Sequence, residues 1–266
     1  MKQGRFNLLF ARRIGTNEEV TVASRLIGFF VAILLLALIF TFAFSRLQYV
    51  WQWGAIYAYR QKFLLGWLVT LAISAAALII SFCIGLFFAL AQRSGFLPLR
   101  YVSKLYIELI RGTPLLVQIL VFFYVVADAF GVGNRYVVGV LTLALFAGAY
   151  ICEIIRAGIE SVGESQLESA RAIGLTKLQT YRYVVFPQVI RRIMPPLAGQ
   201  FASLIKDSSL LSIIAVSEFT LNAQEVNSYT YSTMESYLPL AVGYLLLTLP
   251  ISMLSRYLEG RYRYAS

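Results

Sequence analysis

Apolar residues in this chain fall in long uninterrupted runs rather than at amphipathic spacing. Leu26 to Phe44 holds no charged residue, and neither does Phe63 to Gln92. A helix crosses a bilayer with about 20 apolar residues, so each run is long enough. Continuing along the chain, the pattern predicts six spans: roughly 26–44, 64–91, 105–127, 137–155, 190–206 and 236–255. The fifth is the weakest, because only Ile193 to Ile205 is free of charge. The first starts beyond residue 25, is long for the apolar part of a signal peptide, and precedes no small-residue cleavage pattern. It is expected to be a retained helix. The fold class predicted is all-α, a polytopic membrane protein.

One segment breaks the pattern. From Gly163 to Gln188 the chain is polar, with Gly174 near the middle and Pro187 near the end. Leu167, Ala170 and Ile173 fall at helical spacing. The helix they define is expected to stop at Gly174, since glycine accepts the left-handed conformation after a helix end. Thr176 lies three residues before Gln179, the capping-box pattern of a new start. Leu178, Tyr181, Val184 and Val185 give the second helix an apolar side. Glu160, Glu164 and Glu168 recur every four residues as a charged stripe. The pattern alone leaves two readings: an amphipathic pair resting on lipid, or a surface for a protein partner. Lipid-resting helices carry Lys and Arg on the polar face, whereas this one opens with Glu164.

Composition agrees with a membrane protein. The chain is 59% hydrophobic and 14% charged, with mean hydropathy +0.72, against about 25% charge in soluble domains. The net charge of +10 would suggest nucleic acid in a soluble protein. Here it is read as orientation signal, with no nucleic-acid partner expected. Seventeen of the 23 Lys and Arg fall on one side of the six-span threading and five on the other, with Arg111 inside a span. The positive-inside rule places both termini and the 163–188 segment in the cytoplasm. The chain has no histidine, which excludes a His-based triad and the commonest zinc sites. Cys83 and Cys152 lie in apolar runs and are expected to pack.

Charges within the spans are the candidate chemistry. Glu108 and Arg111 lie three apart, as do Glu153 and Arg156, so each pair shares a helix face. An unpaired charge at mid-bilayer costs about 2.5–3.5 kcal/mol on insertion scales. These are either structural ion pairs near the cytoplasmic side, or groups bordering a solute path. Gly112 and Pro114 favour a broken helix, whose freed backbone groups are a means of holding solutes. Gln118 needs a polar partner, more readily a neighbouring helix than a solute. Lys206 and Asp207 are either a solvated helix end or part of a pathway. The region 207–235, with Asp207, Glu218, Glu225 and Glu235, reads as an outward loop, and Ser208 to Val216 as a short re-entrant helix.

Glu168-Ser169-Ala170, Gly174, Val184 and Phe186-Pro187 resemble the coupling motif of ATP-binding-cassette (ABC) importer permeases: Glu-Ala-Ala, three residues, Gly, nine residues, Ile, one residue, Leu-Pro. The spacing is intact, with Ser169, Val184 and Phe186 as mild replacements. "YIELIRGTPLLVQILVFFY" (Tyr106 to Tyr124) resembles a signature of the polar amino acid uptake branch. "AYICEIIRAGIESV" (Ala149 to Val162) and "MPPLAGQFASLIKDSSL" (Met194 to Leu210) resemble others, with Gly199 and Ser208 replacing the branch's usual Asn and Thr. The likeness covers roughly 62–258.

The resemblance implies a type I importer permease core of five helices over about 61–260, plus one added N-terminal helix within residues 1–60. It implies that Glu164, Glu168, Ala170, Arg171, Gly174, Leu175 and Pro187 couple to a separate ATPase subunit. Glu108, Arg111, Gly112, Thr113, Pro114, Gln118, Lys206, Asp207 and Ser208 are the candidate substrate pathway. No GxxxxGK[ST] loop occurs and Gly-Lys is absent, so the chain is not expected to be an enzyme. ATP and Mg would be bound by the partner. The implied partners are two ABC ATPases, a second permease copy or paralogue, an extracytoplasmic amino-acid-binding protein, and the bilayer of a bacterial inner membrane. Three rivals are an ion-gradient-driven transporter or channel, a membrane enzyme, and a permease for an amino-acid derivative such as an opine or a sulfur-containing amino acid.

Overall fold

The computed structural model describes residues 22–46 and 49–263, all helix and connecting segments. The chain divides into two units, one ending at Trp51 and one beginning at Gln52. The first contains α1 (Val22–Ser45), whose Leu26–Ser45 stretch has mean hydropathy 2.9 and spanning length.

The second unit is built around α3 (Arg60–Ala91) and α6 (Arg135–Glu160), the most closely packed pair. Small residues let their backbones approach, the usual basis of helix packing in lipid. A Cβ on Gly85 would lie 2.7 Å from Ile151, and one on Gly148 would lie 2.8 Å from Ile84. A short α2 (Trp53–Ala58) precedes α3. After α3 come α4 (Leu97–Gly112) and α5 (Leu115–Val121), the latter continued by a wide π-helical turn, Phe122–Ala127. After α6 come α7 (Glu164–Ala172) and α8 (Lys177–Thr180), a second π-helical turn (Tyr181–Val185), and α9 (Phe186–Asp207). A 3₁₀ helix, Ser208–Ile214, leads to α10 (Phe219–Thr230) and α11 (Thr233–Arg263).

Three buried clusters hold this unit. The central one joins Ile73, Ala77, Leu115, Ile119, Leu143 and Leu204. A second lies around Ile151, Cys152, Ile155, Val185, Val189 and Ile193. The third joins Phe63 and Phe219 to Ala223 and Val226.

Four described helices are long and apolar enough to cross a membrane, and five if α4 and α5 with its extension count as one broken span. The span expected at 105–127 is therefore corrected. It begins at Leu97 and is bent by 110° between Gly112 and Leu115, because Pro114 has no N–H to donate and its ring conflicts with a continuing helix. The stretch expected at 190–206 is helical within α9 but falls short of the others in apolarity, with Arg191, Arg192, Lys206 and Asp207 towards its ends. The polar 207–235 region is not a loop. It folds as the 3₁₀ helix Ser208–Ile214, over most of the stretch expected as a short helix, and α10, with Glu218 and Glu235 fully buried. Cys152 is buried as expected, but Cys83 is exposed.

Candidate functional site

Two places gather the sequence candidates. The first is the turn between α7 and α8. Gly174 takes φ +78°, donates its N–H to Arg171 O at 2.9 Å, and Leu175 N–H reaches Ala170 O at 3.0 Å. These two bonds satisfy the last carbonyls of α7 as a Schellman motif. Thr176 then opens α8. Its Oγ1 accepts from Gln179 N–H at 3.3 Å, and Gln179 Oε1 accepts from Thr176 N–H at 2.8 Å. One helix end and one helix start thus share a two-residue link with few free backbone groups, which makes the turn stiff.

The second helix does not stop before the next span. α8 runs through the wide turn Tyr181–Val185 directly into α9. Pro187 would clash with the carbonyl four residues back, Tyr183, in a regular helix. The wide turn opens the hydrogen-bond ladder at that place.

The root of this hairpin is packed and its tip is bare. Ala170 is buried, and Val185 and Val189 are buried in one cluster with Val162, Ile155 and Ile193. A Cβ on Gly158 would meet Ile193 at 2.4 Å. Arg192 donates to Ser161 O, and Gln188 to Gln166, tying α9 to the start of the hairpin. At the tip, Ile173 is 76% exposed and Leu178 79%. Of the apolar side expected of the second helix, Leu178 and Tyr181 are exposed, Val184 is half-buried and Val185 is buried. Glu164, Glu168, Arg171 and Pro187 are also exposed, and Leu175 is half-buried. Exposed apolar side chains grouped on a polar hairpin mark a surface for a protein partner or for lipid.

The second place is the break between α4 and α5. Gln118 spans it, donating from Nε2 to Ile110 O at 2.7 Å, Thr113 O at 3.1 Å and Thr113 Oγ1 at 2.8 Å. Its partner is therefore the backbone freed at the bend. Gln118 Oε1 is buried without a partner among the described residues. Replacing Gln118 with leucine is expected to leave two carbonyls unsatisfied and destabilise the fold by about 2 kcal/mol. Thermal unfolding in detergent would measure it, and an unchanged midpoint would show that the bend holds without this side chain.

Glu108 and Arg111 do not pair with each other. Glu108 is exposed and in no ion pair among the described residues. Arg111 reaches across to α6, with Nη1 3.1 Å from Glu153 Oε2 and its guanidinium 5.5 Å from the Tyr150 ring centre. Glu153 also binds Arg156 at 2.9 Å, the expected pair, and Arg156 binds Glu160 at 2.6 Å. Both residues lie on α4 ahead of the bend, so the bend does not part them; Arg111 lies beside α6, where Glu153 is within reach. Glu153 therefore belongs with the candidates, and spacing within α4 alone could not have named it.

Lys206, Asp207 and Ser208 lie where α9 passes into the 3₁₀ helix. Lys206 is exposed, Asp207 half-buried, and Ser208 buried with its hydroxyl on Ile205 O at 2.8 Å. The 3₁₀ helix ends at Ala215 with φ +57°, where Arg135 of α6 donates to Ala215 O at 2.8 Å. Leu211 and Ile214 share the central cluster with Leu115 and Ile119 of α5. The 208–214 turn and the broken span thus meet through apolar packing. No ion pair joins Lys206 or Asp207 to the charges of the break among the described residues.

A buried polar network missed by the sequence reading lies beside this turn. Glu218 caps α10, accepting from Thr220 N–H and Leu221 N–H at 2.8 Å each. Tyr244 donates to it at 2.9 Å, and Thr70 Oγ1 of α3 lies 3.4 Å away. An acid just before an apolar helical run is a capping signal, and that was the available clue.

Comparison with known proteins adds to this geometry. Residues 81–264 match the family described as binding-protein-dependent transport system inner membrane component. The chain is 37% identical over 196 residues to the probable glutamine ABC transporter permease protein GlnM of Bacillus subtilis, covering 74% of this chain and 91% of that one. It is 35% identical over 212 residues to the glutamine transport system permease protein GlnP of Escherichia coli K12, covering 79% and 97%. Among solved structures, a crystal structure of an amino acid ABC transporter with histidines aligns with TM-score 0.74 and 37% identity, covering 80% of this chain and all of that one. An inward-facing MetNI methionine ABC transporter aligns with TM-score 0.60 at 16% identity, a likeness of fold alone. The chain belongs to the family of binding-protein-dependent transport system inner membrane components: it is the membrane-spanning permease subunit of an ABC importer, partnered by separate ATPase subunits and not itself an enzyme.

Proposed function

We propose that the solute is a polar or charged L-amino acid, with glutamine the first to test, and that the α7–α8 hairpin is the element the ATPase drives. The stiff turn at Gly174, with Ile173 and Leu178 bare at its tip, carries this reading. The glutamine permeases with which the chain aligns along nearly their whole length support the solute class. Two ATPase subunits bind ATP and Mg and work on two permease subunits, this chain and a second copy or paralogue. A soluble binding protein delivers the amino acid on the far side. Both termini and the hairpin lie in the cytoplasm of a bacterial cell, and residues 1–60 are an appendage to the core.

ATP closes the ATPase pair and draws the two hairpins together. Because the hairpin root is packed onto α6 and α9, those helices tilt as units rather than bending. The pathway then opens outward to accept the amino acid, and hydrolysis returns it to the inward-facing form. Arg111, Thr113 and Gln118 at the break, with Lys206 to Ser208 nearby, border the path.

Reconstitution of the chain with its ATPase and binding protein in liposomes tests this. Labelled glutamine is expected to accumulate only with ATP on the ATPase side. Accumulation by the chain alone, driven by an ion gradient, would overturn the ATP-driven reading. If no amino acid competes with uptake, the solute class is wrong while the coupling stands.

A further inference from the structure

We infer that α4 is an in-plane interfacial helix whose cationic edge binds anionic phospholipid of the leaflet facing the α7–α8 hairpin. The observations concern the surface and the depth of this helix, neither of which the transport cycle uses.

α4 has three distinct sides. Ser103 and Ile107, one turn apart, are buried against the protein, with Tyr106 and Ile110 partly so. Leu97, Tyr101, Leu105 and Leu109 recur every four residues, and all are more than half exposed, Tyr101 at 67%. Between the buried and the apolar sides run Arg100 and Lys104, with Arg93 just before the helix, all exposed. None of these three cations is in an ion pair among the described residues. Residues three and four apart share a helix face, so the sequence itself fixes this division.

Contacts at the middle and the C-terminal end set the depth. At the middle of α4, Ser103 donates to Phe88 O at 2.9 Å, and Tyr106 stacks on Phe88 with ring centres 4.2 Å apart while its hydroxyl donates to Leu145 O of α6 at 2.5 Å. Phe88 lies in the last turn of α3. At the C-terminal end, Arg111 meets Glu153, the first of the charged residues that fill the last two turns of α6. The middle and the C-terminal end of α4 therefore lie beside the last turn of α3 and the start of the charged end of α6. The 110° bend to α5, close to perpendicular, lays α4 near the membrane plane when α5 runs across it.

An apolar face flanked by unpaired cations at that depth has the charge and shape of an interfacial lipid site. Lipid phosphate and carboxylate headgroups complement the edge, while their acyl chains meet Tyr101, Leu105 and Leu109. The naming of the hairpin-side leaflet rests on the orientation proposed above.

The test uses the permease assembled with its ATPase in nanodiscs, made either of phosphatidylcholine or of an equal mixture with phosphatidylglycerol. Native mass spectrometry is expected to show retained phosphatidylglycerol. With about fivefold preference per cation near an anionic surface, Arg100→Gln with Lys104→Gln should lower that preference roughly 30-fold, and Arg100→Lys should keep it. A nitroxide at Tyr101→Cys, in a Cys83→Ser background, should meet dissolved oxygen more readily than an aqueous nickel chelate. If that variant does not assemble, Val102→Cys serves. An unchanged lipid preference in the double variant overturns the inference. So does a label shielded from both reagents, which would mean a protein partner covers this face. An impermeant thiol reagent on Gly95→Cys reports sidedness separately, so an error in orientation is not mistaken for an error about lipid.

Discussion

Replacing Gly174 with valine is expected to lower ATP-driven uptake about tenfold or more, the equivalent of about 1.4 kcal/mol or more in coupling, while the protein still reaches the membrane. The cause is local. Gly174 sits at φ +78° with open space around its α-carbon, so a side chain there is opposed by backbone conformation rather than by a clash. The left-handed region costs an L-residue about 1–2 kcal/mol, and a β-branched side chain is a stronger outlier still. The strain is relieved by opening the turn, which breaks the bonds to Arg171 O and Ala170 O and displaces Ile173 and Leu178. ATP hydrolysis by the assembled complex should persist, with uptake lost. Asparagine, which tolerates this conformation, should retain more activity than alanine or valine. Wild-type uptake by the valine variant at equal expression would show that the turn transmits nothing.

The largest expected loss of stability comes from Glu218→Ala. It strips two N–H groups at the start of α10 of their acceptor and leaves Tyr244 with only hydroxyl partners, Thr220 at 2.9 Å and Thr70. Each buried donor left unmade costs about 1–3 kcal/mol, so a loss of about 3 kcal/mol or more is expected. Because Thr70 Oγ1 accepts from Phe219 N–H at 3.1 Å, the damage should extend to the seam between α3 and α10. Glu218→Gln keeps one acceptor oxygen and should fall between wild type and alanine. Thermal unfolding of the purified permease complex in detergent would order the three. An alanine variant as stable as wild type would mean the network is replaceable by water.

These two residues mark what the sequence could and could not say. Gly174 was legible because its role is local: a helix end, a positive φ and a capping box all lie within a few residues. The same holds for the bend at Pro114, where a missing N–H forces the outcome. Glu218 was misread because an acid in a polar stretch resembles a solvated one, and only the packing of α3, α10 and α11 puts it inside. Arg111 was half legible. Its need for a partner followed from its place in an apolar run, but the partner was assigned by spacing to Glu108. Arg111 lies beside α6, and the carboxylate it meets comes from 42 residues away. Leu178 and Tyr181 were legible only as far as their own helix goes. An apolar side was legible, but whether it faces this chain or another depends on what the hairpin stands against.

α6 is 26 residues long and contains no proline. Its glycines are clasped by Leu211, Ile84 and Ile193 rather than free to flex. At about 1.5 Å per residue it is a straight lever about 39 Å long, with the hairpin at one end and Arg135 at the other. A swing of about 10° at the driven end would carry the far end about 7 Å. The far end holds Ala215 O, so in the proposed cycle the left-handed residue closing the 208–214 turn would move with it. Mechanical advantage of this kind would let a modest stroke at the hairpin rearrange a turn at the opposite end of α6.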